Sequence, residues 1–183
     1  MRLFGDGLRR IYREQFDRPV ARRHPRVVGH DDFSLGRPAF LETATRSDQF
    51  RLITGDLLDA KKLTGPMAGC EFFFHLAANA DVRFGMDHPR TDLEQNTIVT
   101  MNVLEAIGTN AIRDIAFSSA GSIYGEAGIF PTPENAPIPV QTSLWSIRNL
   151  RHEKPFAHFP RRGRYRFIVL LPPTWRICNL RGD

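Results

Sequence analysis

Two aspartates follow short apolar segments at places where carboxylates can bind a nucleoside. Asp31 follows the segment Arg26–His30, and Asp56 follows Phe50–Thr54 and Gly55. A carboxylate at the end of a strand can accept hydrogen bonds from an adenosine ribose, and Asp56 can accept one from the adenine amino group. Aspartate is also a common turn residue, so each position is equally compatible with a plain turn.

Three further polar residues lie inside apolar segments. His75 lies in the run Glu71–Ala78, where a core histidine with satisfied hydrogen bonds is a better interpretation than a catalyst, and no metal partner is spaced near it. Asn96 and Asn102 lie in the helix candidate Pro89–Ile107. Because asparagine disfavours helix interiors, these side chains are predicted to bridge loops or contact a ligand. An equally open alternative is that they face solvent.

The elements that position these residues alternate between strands and helices. The predicted strands are Arg26–His30, Phe50–Thr54, Glu71–Ala78 and Asp114–Ser118. A short helix contains Leu57, Leu58 and Leu63, and a long helix covers Pro89–Ile107. Its expected apolar face consists of Leu93, Ile98, Met101, Leu104 and Ile107. This alternation predicts an α/β fold with a Rossmann-like doubly wound parallel sheet, which binds ligands at the carboxyl ends of its strands.

The charge distribution divides the 183-residue chain into three parts. Met1–Val27 holds eight Arg and three acidic residues, Val28–Leu144 holds eight basic and fifteen acidic residues, and Trp145–Asp183 holds nine basic and two acidic residues. Basic flanks can bind nucleic acid, but no binding module is recognisable, so a solvated basic surface is preferred. No apolar run suits a membrane span or a secretory signal, and the two cysteines predict neither a disulfide framework nor a metal site. We therefore expect a cytoplasmic protein.

Three motifs in order carry a resemblance to a known family. They are His75-Leu76-Ala77-Ala78-Asn79-Ala80-Asp81-Val82, then Asn96-Thr97-Ile98 with Asn102-Val103-Leu104-Glu105-Ala106, then Phe117-Ser118-Ser119-Ala120-Gly121-Ser122-Ile123-Tyr124-Gly125. The chain resembles the extended short-chain dehydrogenase/reductase family, in its NAD-dependent epimerase/dehydratase branch, and is most similar to UDP-glucose 4-epimerases. The resemblance covers about Arg26 to Leu144.

The resemblance implies an NAD cofactor, a nucleotide-sugar substrate and a homodimer. NAD removes a hydride from C4 of the sugar and returns it to the other face. The implied cofactor-binding residues are Asp31, Asp32, Asp56, Leu57, Leu76, Ala77, Ala78, Asn96 and Ser118. The candidate catalytic residues are Ser119, Ser122 and Tyr124. The family base is the tyrosine of a Tyr-x-x-x-Lys motif.

The chain departs from the family pattern at both flanks. Residues 1–25 form an atypical basic segment that carries charge in place of a glycine turn and is expected to lack the first strand. In the C-terminal segment 145–183, Trp145 and Asn149 stand at the tyrosine and lysine positions, and most of a sugar-binding lobe is missing. The family's serine or threonine falls on Ala120. We therefore expect a Rossmann-like core at residues 26–144, incomplete at both ends and inactive as an epimerase.

Two further interpretations stay open. The chain can be a non-catalytic binding protein that uses its basic flanks, or a pseudo-enzyme subunit that pairs through the Pro89–Ile107 helix. The flanks also permit a hypothesis about their origin. Shifted codons at Gly5–Arg23 can encode a strand, a glycine turn and a helix in family order, so we hypothesise that both flanks are frame-shifted translation.

Overall fold

The central feature of the molecule is one sheet. The computed structural model describes residues 2–6, 26–34, 37–79, 87–118, 166–171 and 176–180, and the last two ranges are described by their backbone alone. Within these ranges, seven strands form the sheet: β1 (Arg2–Asp6), β2 (Arg26–Asp31), β3 (Phe50–Thr54), β4 (Phe72–His75), β5 (Asp114–Ser118), β6 (Arg166–Leu171) and β7 (Arg176–Leu180). Their order is β3-β2-β1-β4-β5-β6-β7, parallel throughout except for the β6–β7 pair. This order confirms the predicted Rossmann-like doubly wound sheet.

The expectation that the sheet lacks its first strand is wrong. β1 occupies the central position, between β2 and β4. Leu3 and Phe4 are 1% and 0% exposed, and the ring of Phe4 stacks on that of Phe73 with centroids 5.1 Å apart. Two large apolar side chains, one for each face, are enough to fix a short strand that is covered on both sides. The sheet also continues into the basic C-terminal segment through β6 and β7.

Short helices join the strands on the β3 side of the sheet. A 3-10 turn at Pro38–Leu41 leads into α1 (Glu42–Thr45), and α2 (Ala60–Leu63) lies between β3 and β4. The helix predicted around Leu57 and Leu63 is therefore confined to its last turn. Leu63 is fully buried and anchors α2 in the core.

The long helix predicted over Pro89–Ile107 is present but changes its hydrogen-bonding pattern on the way. α3 (Pro89–Leu93) continues as a π-helical turn (Glu94–Ile98) and then as α4 (Val99–Thr109). A π turn adds one residue to a helical turn and is often found at functional sites. The π turn also rotates the side chains of α3 around the helix axis relative to those of α4.

The apolar face predicted for this helix is therefore only partly correct. Leu104 and Ile107 are buried, whereas Leu93, Ile98 and Met101 are 51%, 41% and 44% exposed. The buried stripe of α4 consists instead of Val99, Thr100, Val103, Leu104, Ala106 and Ile107. This stripe packs in the same core cluster as residues of β1, β2, β4 and β5.

The end of α4 forms a Schellman motif around Asn110. The Ile112 N–H donates to the Ile107 carbonyl, and the Ala111 N–H donates to the Gly108 carbonyl, both at 3.2 Å. Ala111 has a φ of 54°, the left-handed conformation that glycine usually supplies at this position. This turn directs the chain into β5.

Candidate nucleotide-binding site

The carboxyl ends of β2 and β3 carry the two aspartates predicted to bind a nucleoside. Asp31 is the last residue of β2, and its Oδ1 accepts a hydrogen bond from the Phe33 N–H at 2.9 Å. Asp56 Oδ1 accepts one from the Leu58 N–H at 2.8 Å. The Gly55 N–H donates to the Asp31 carbonyl at 3.2 Å, so the two strand ends are joined. Both aspartates are turn residues, and the turns fix both carboxylates at one edge of the sheet.

The neighbouring residues Asp32 and Leu57 are positioned by local hydrogen bonds. Asp32 is exposed, and its Oδ1 accepts from the Ser34 N–H and hydroxyl at 3.0 and 2.8 Å. Leu57 is buried, and its carbonyl accepts from Asn102 Nδ2 at 3.0 Å, while the Leu58 carbonyl lies 3.3 Å from the same nitrogen. Asn102 therefore bridges α4 to the loop after β3, which confirms its predicted bridging role.

Asp6 connects the end of β1 to the loop that follows β4. Its side chain is completely buried, and Oδ1 accepts hydrogen bonds from the backbone N–H groups of Leu76 and Ala77 at 2.6 and 2.8 Å. Because both amides donate to this carboxylate, the backbone at the start of the loop is held against β1. Leu76 and Ala77 are half-buried, and Ala78, which follows them, is exposed.

His75 is a core histidine whose two ring nitrogens both have partners, as predicted. Nδ1 lies 2.6 Å from Asp6 Oδ2, and Nε2 lies 3.0 Å from Thr100 Oγ1. The Thr100 hydroxyl donates its single proton to the Asn96 carbonyl at 2.7 Å, so its oxygen accepts from a protonated Nε2. On the other side of the ring, Nδ1 lies within hydrogen-bond distance of the buried Asp6 carboxyl group. The histidine thus belongs to a polar network that crosses the core.

Asn96 lies in the π turn and is 2% exposed. Its Oδ1 accepts a hydrogen bond from the Asn79 N–H at 3.0 Å, and its Nδ2 donates to Asp92 Oδ1 at 3.1 Å. The prediction that Asn96 bridges to a loop is therefore confirmed. The direct contact with cofactor that the resemblance implies stays a prediction.

Among the described residues, His30 is a buried side chain with one ring nitrogen that lacks a hydrogen bond. It is 1% exposed, and its Nδ1 has no partner. Gly55 packs against the other side of the ring, where a Cβ would lie 3.1 Å from Nε2. Burial lowers the pKa of His30, and four nearby carboxylates oppose that effect: Asp6, Asp31, Asp32 and Asp56. The edge is thus strongly acidic and holds a neutral histidine.

Among the other predicted site residues, Ser118 is the last residue of β5 and is half-buried. Ser119, Ser122 and Tyr124 lie outside the described residues, as do Trp145 and Asn149. Sequence analysis missed Asp6, His30 and Asp92: His30 ends a predicted strand and Asp92 lies in the predicted long helix, whereas Asp6 lies in a segment for which no strand was predicted. In the described part of the chain, no group of three or more His, Cys, Asp or Glu side chains is arranged for a metal ion.

The parallel sheet, with carboxylates at the carboxyl ends of its strands, has the Rossmann-type architecture. The chain belongs to the NAD dependent epimerase/dehydratase family, whose model matches residues 16–175. This match extends into both basic flanks, beyond the Arg26–Leu144 range over which the motifs are recognisable. The chain is also 39% identical over 125 residues to the UDP-glucose 4-epimerase of Mycolicibacterium smegmatis. The aligned residues cover 67% of this chain and 39% of that protein.

Solved structures of epimerases share the fold. The UDP-glucose 4-epimerase of Thermotoga maritima, solved with UDP-glucose, matches with a TM-score of 0.79 at 24% identity, covering 93% of this chain and 55% of that one. The UDP-glucose 4-epimerase of Brucella ovis, solved in complex with NAD, matches with a TM-score of 0.79 at 20% identity, covering 93% and 51%. The chain therefore spans about half the length of these proteins or less. No helix in the described ranges is long and apolar enough to cross a membrane.

Proposed function

We propose that the chain binds the adenosine half of NAD at the carboxyl ends of β2 and β3. The observation that carries this proposal is the pair of carboxylates, Asp31 and Asp56, each anchored by its own turn on adjacent parallel strands. An adenosine offers hydroxyl and amino donors, which carboxylates accept well. The structure of the Brucella ovis relative in complex with NAD supports the choice of cofactor.

The described residues fit one half of this cofactor better than the other. Asp31, Asp32 and Asp56 supply acceptors but no donors, which suits a ribose and an adenine and does not suit a phosphate. Leu76 and Ala77 turn their amides to Asp6, so these two donors are engaged within the protein. NAD, when bound, supplies hydride acceptance and return at a sugar carbon. The role of this chain's described residues is to bind and orient its adenosine.

The catalytic part of the family reaction is a separate proposal. By the resemblance, Trp145 and Asn149 stand where the family has a tyrosine and a lysine. An indole cannot accept a proton from a sugar hydroxyl, and an amide carries no charge that would lower the pKa of a neighbouring phenol. We therefore propose that the chain binds NAD without epimerising a nucleotide sugar. Family membership favours this function over the alternative of a polyanion-binding protein.

Incubation with UDP-galactose and NAD tests this proposal, with UDP-glucose formation as the readout. We expect no conversion by the natural chain, while NAD binding is detected by calorimetry. The matched comparison is the double variant Trp145→Tyr with Asn149→Lys, which restores the Tyr-x-x-x-Lys pattern. Conversion by the natural chain would contradict the inactivity, and absence of NAD binding would contradict the cofactor assignment.

We also propose that two copies of the chain associate through the exposed side of the long helix. Leu93, Ile98 and Met101 are large apolar side chains, each more than two-fifths exposed on one helical segment. Light scattering coupled to size exclusion measures the assembly. We expect a dimer that Met101→Glu converts to a monomer, whereas a monomeric natural chain would contradict the proposal.

We place the protein in the cytoplasm as part of the same proposal. Cys70 is a free, buried thiol, and burial raises its pKa, so it stays protonated and unreactive. NAD and nucleotide sugars, the compounds that the proposed function involves, are soluble intracellular compounds. Fractionation of cells that produce the protein, followed by immunodetection in the soluble fraction, is the direct test.

A further inference from the structure

The loop after β4 is held at both of its ends by hydrogen bonds to side chains. At its start, the amides of Leu76 and Ala77 donate to Asp6, as described above. At its end, the Asn79 N–H donates to Asn96 Oδ1 at 3.0 Å. Both asparagines are nearly inaccessible, at 7% exposure for Asn79 and 2% for Asn96. The second attachment therefore depends on how the Asn96 amide is oriented.

Asp92 fixes that orientation. Its Oδ1 accepts one hydrogen bond from Asn96 Nδ2 at 3.1 Å and another from Asn79 Nδ2 at 3.0 Å. If the Asn96 amide were flipped, its oxygen would face the carboxylate and its NH₂ group would face the Asn79 N–H. Both contacts would then be repulsive, so the acceptor oxygen of Asp92 selects one orientation of each asparagine amide.

The contact between Asp92 and Asn96 crosses the start of the π turn. The two residues are four apart, a spacing at which helical side chains meet, and Asn96 lies within the turn at Glu94–Ile98. The Thr100 hydroxyl donates to the Asn96 carbonyl at 2.7 Å, which ties the same turn to the His75 network. The loop is thus attached to the long helix by charge-assisted bonds at a point where the helix departs from regular geometry.

We propose that Asp92 is a positioning residue, which holds Asn79 and Asn96 so that the loop at residues 76–79 presents a fixed backbone to the bound dinucleotide. This role rests on the proposed NAD binding, because the family resemblance places Leu76, Ala77 and Ala78 beside the cofactor. Asp92 acts through the two asparagines and does not contact the cofactor. Neither its sequence position nor the three recognisable motifs indicated this role.

Two measurements on the full chain, each made with Asp92→Ala and Asp92→Asn, test the proposal. Amide hydrogen exchange reports on the Asn79 N–H without any ligand. We expect exchange about tenfold faster in Asp92→Ala, which corresponds to about 1.4 kcal/mol of lost local protection. Asp92→Asn keeps an acceptor oxygen and should restore most of the protection. The matched control is Glu94→Ala on the same helix, since Glu94 pairs with the 88% exposed Arg90.

Calorimetric titration with NAD is the second measurement, at a temperature where every variant is folded. We expect about tenfold weaker binding for Asp92→Ala, near-natural binding for Asp92→Asn and no change for Glu94→Ala. Natural affinity in Asp92→Ala, whether or not Asn79 exchanges faster, would overturn the positioning role. Failure of the natural chain itself to bind NAD would overturn the proposed function, and the exchange data would still show whether Asp92 orders the loop.

Discussion

Asp6 joins the centre of the sheet to the loop that follows β4. Its buried carboxylate lies within hydrogen-bond distance of His75 Nδ1 and accepts from the amides of Leu76 and Ala77. The substitution Asp6→Ala therefore deprives the imidazole and both amides of this partner. The imidazole is the most affected, because its side chain is inaccessible to water.

The expected loss of stability follows from these contacts. Leaving a buried polar group without its hydrogen-bond partner costs about 1–3 kcal/mol. The imidazole is fully buried, whereas the two amides are half-buried and can recover part of their hydrogen bonding from water, so we expect a total of about 3 kcal/mol. For a chain of this size, that corresponds to a melting temperature roughly 6–12 °C lower. Asp6→Asn keeps an acceptor oxygen for the amides of Leu76 and Ala77 and should therefore cost less, about 1 kcal/mol.

Urea unfolding followed by far-ultraviolet circular dichroism measures both variants. The matched control is Asp48→Ala, which removes an exposed aspartate that accepts a hydrogen bond from the neighbouring Gln49 side chain. We expect no measurable shift of the unfolding midpoint for this control. If Asp6→Ala unfolds at the same urea concentration as the natural chain, the central placement of Asp6 and β1 is refuted.

Three further predictions follow from described residues. Ala111→Gly should stabilise the fold by about 1 kcal/mol in urea unfolding, because φ is 54° at this position; equal or lower stability would contradict the strain. Burial lowers the pKa of His30, so the folded chain binds fewer protons than the unfolded chain and stability falls as the pH drops below about 6.5. His30→Leu should abolish that part of the pH dependence. It should also raise the free energy of unfolding at neutral pH by about 1 kcal/mol, because it removes a buried nitrogen that lacks a partner. An unchanged dependence of stability on pH would show that His30 is not its source. The buried thiol of Cys70 should react with a maleimide only in urea, and rapid labelling of Cys70 in buffer, located by mass spectrometry, would disprove its burial.

The sequence predicted the regular part of the fold well. Phe50–Thr54 and Asp114–Ser118 match β3 and β5 residue for residue, because each is a short apolar run ended by polar residues. β1 was missed because it offers only Leu3 and Phe4 between charged residues. Its burial depends on neighbours from distant segments, which a local pattern does not contain.

The candidate site was predicted in part for a similar reason. Asp31 and Asp56 were found because strand ends can be located from sequence alone. Asp6 contacts residues 69 to 71 positions away, His30 is identified by its burial, and Asp92 joins Asn96 on its own helix to Asn79 in the loop after β4, so no spacing rule pointed to them. The helix face was mispredicted because a regular 3.6-residue period does not anticipate the π turn at Glu94–Ile98.

The origin of the two flanks stays a prediction. The family model matches residues 16–175 and so includes parts of the segments interpreted as frame-shifted. Sequencing the encoding DNA in all three frames decides the matter. A glycine turn and a Tyr-x-x-x-Lys motif in shifted frames would support the hypothesis, and incoherent translations would end it.

Calorimetric titration of NAD into the natural chain, Asp31→Asn and Asp48→Asn tests the central claim most directly. Asp48 lies in the connection between β2 and β3, is exposed, and accepts a hydrogen bond from the side chain of the neighbouring Gln49. Both substitutions remove one negative charge, so the two variants change net charge equally. The adenosine-binding edge predicts measurable binding that Asp31→Asn weakens about tenfold and Asp48→Asn leaves unchanged. Equal affinities in all three proteins, or no binding by the natural chain, would contradict it.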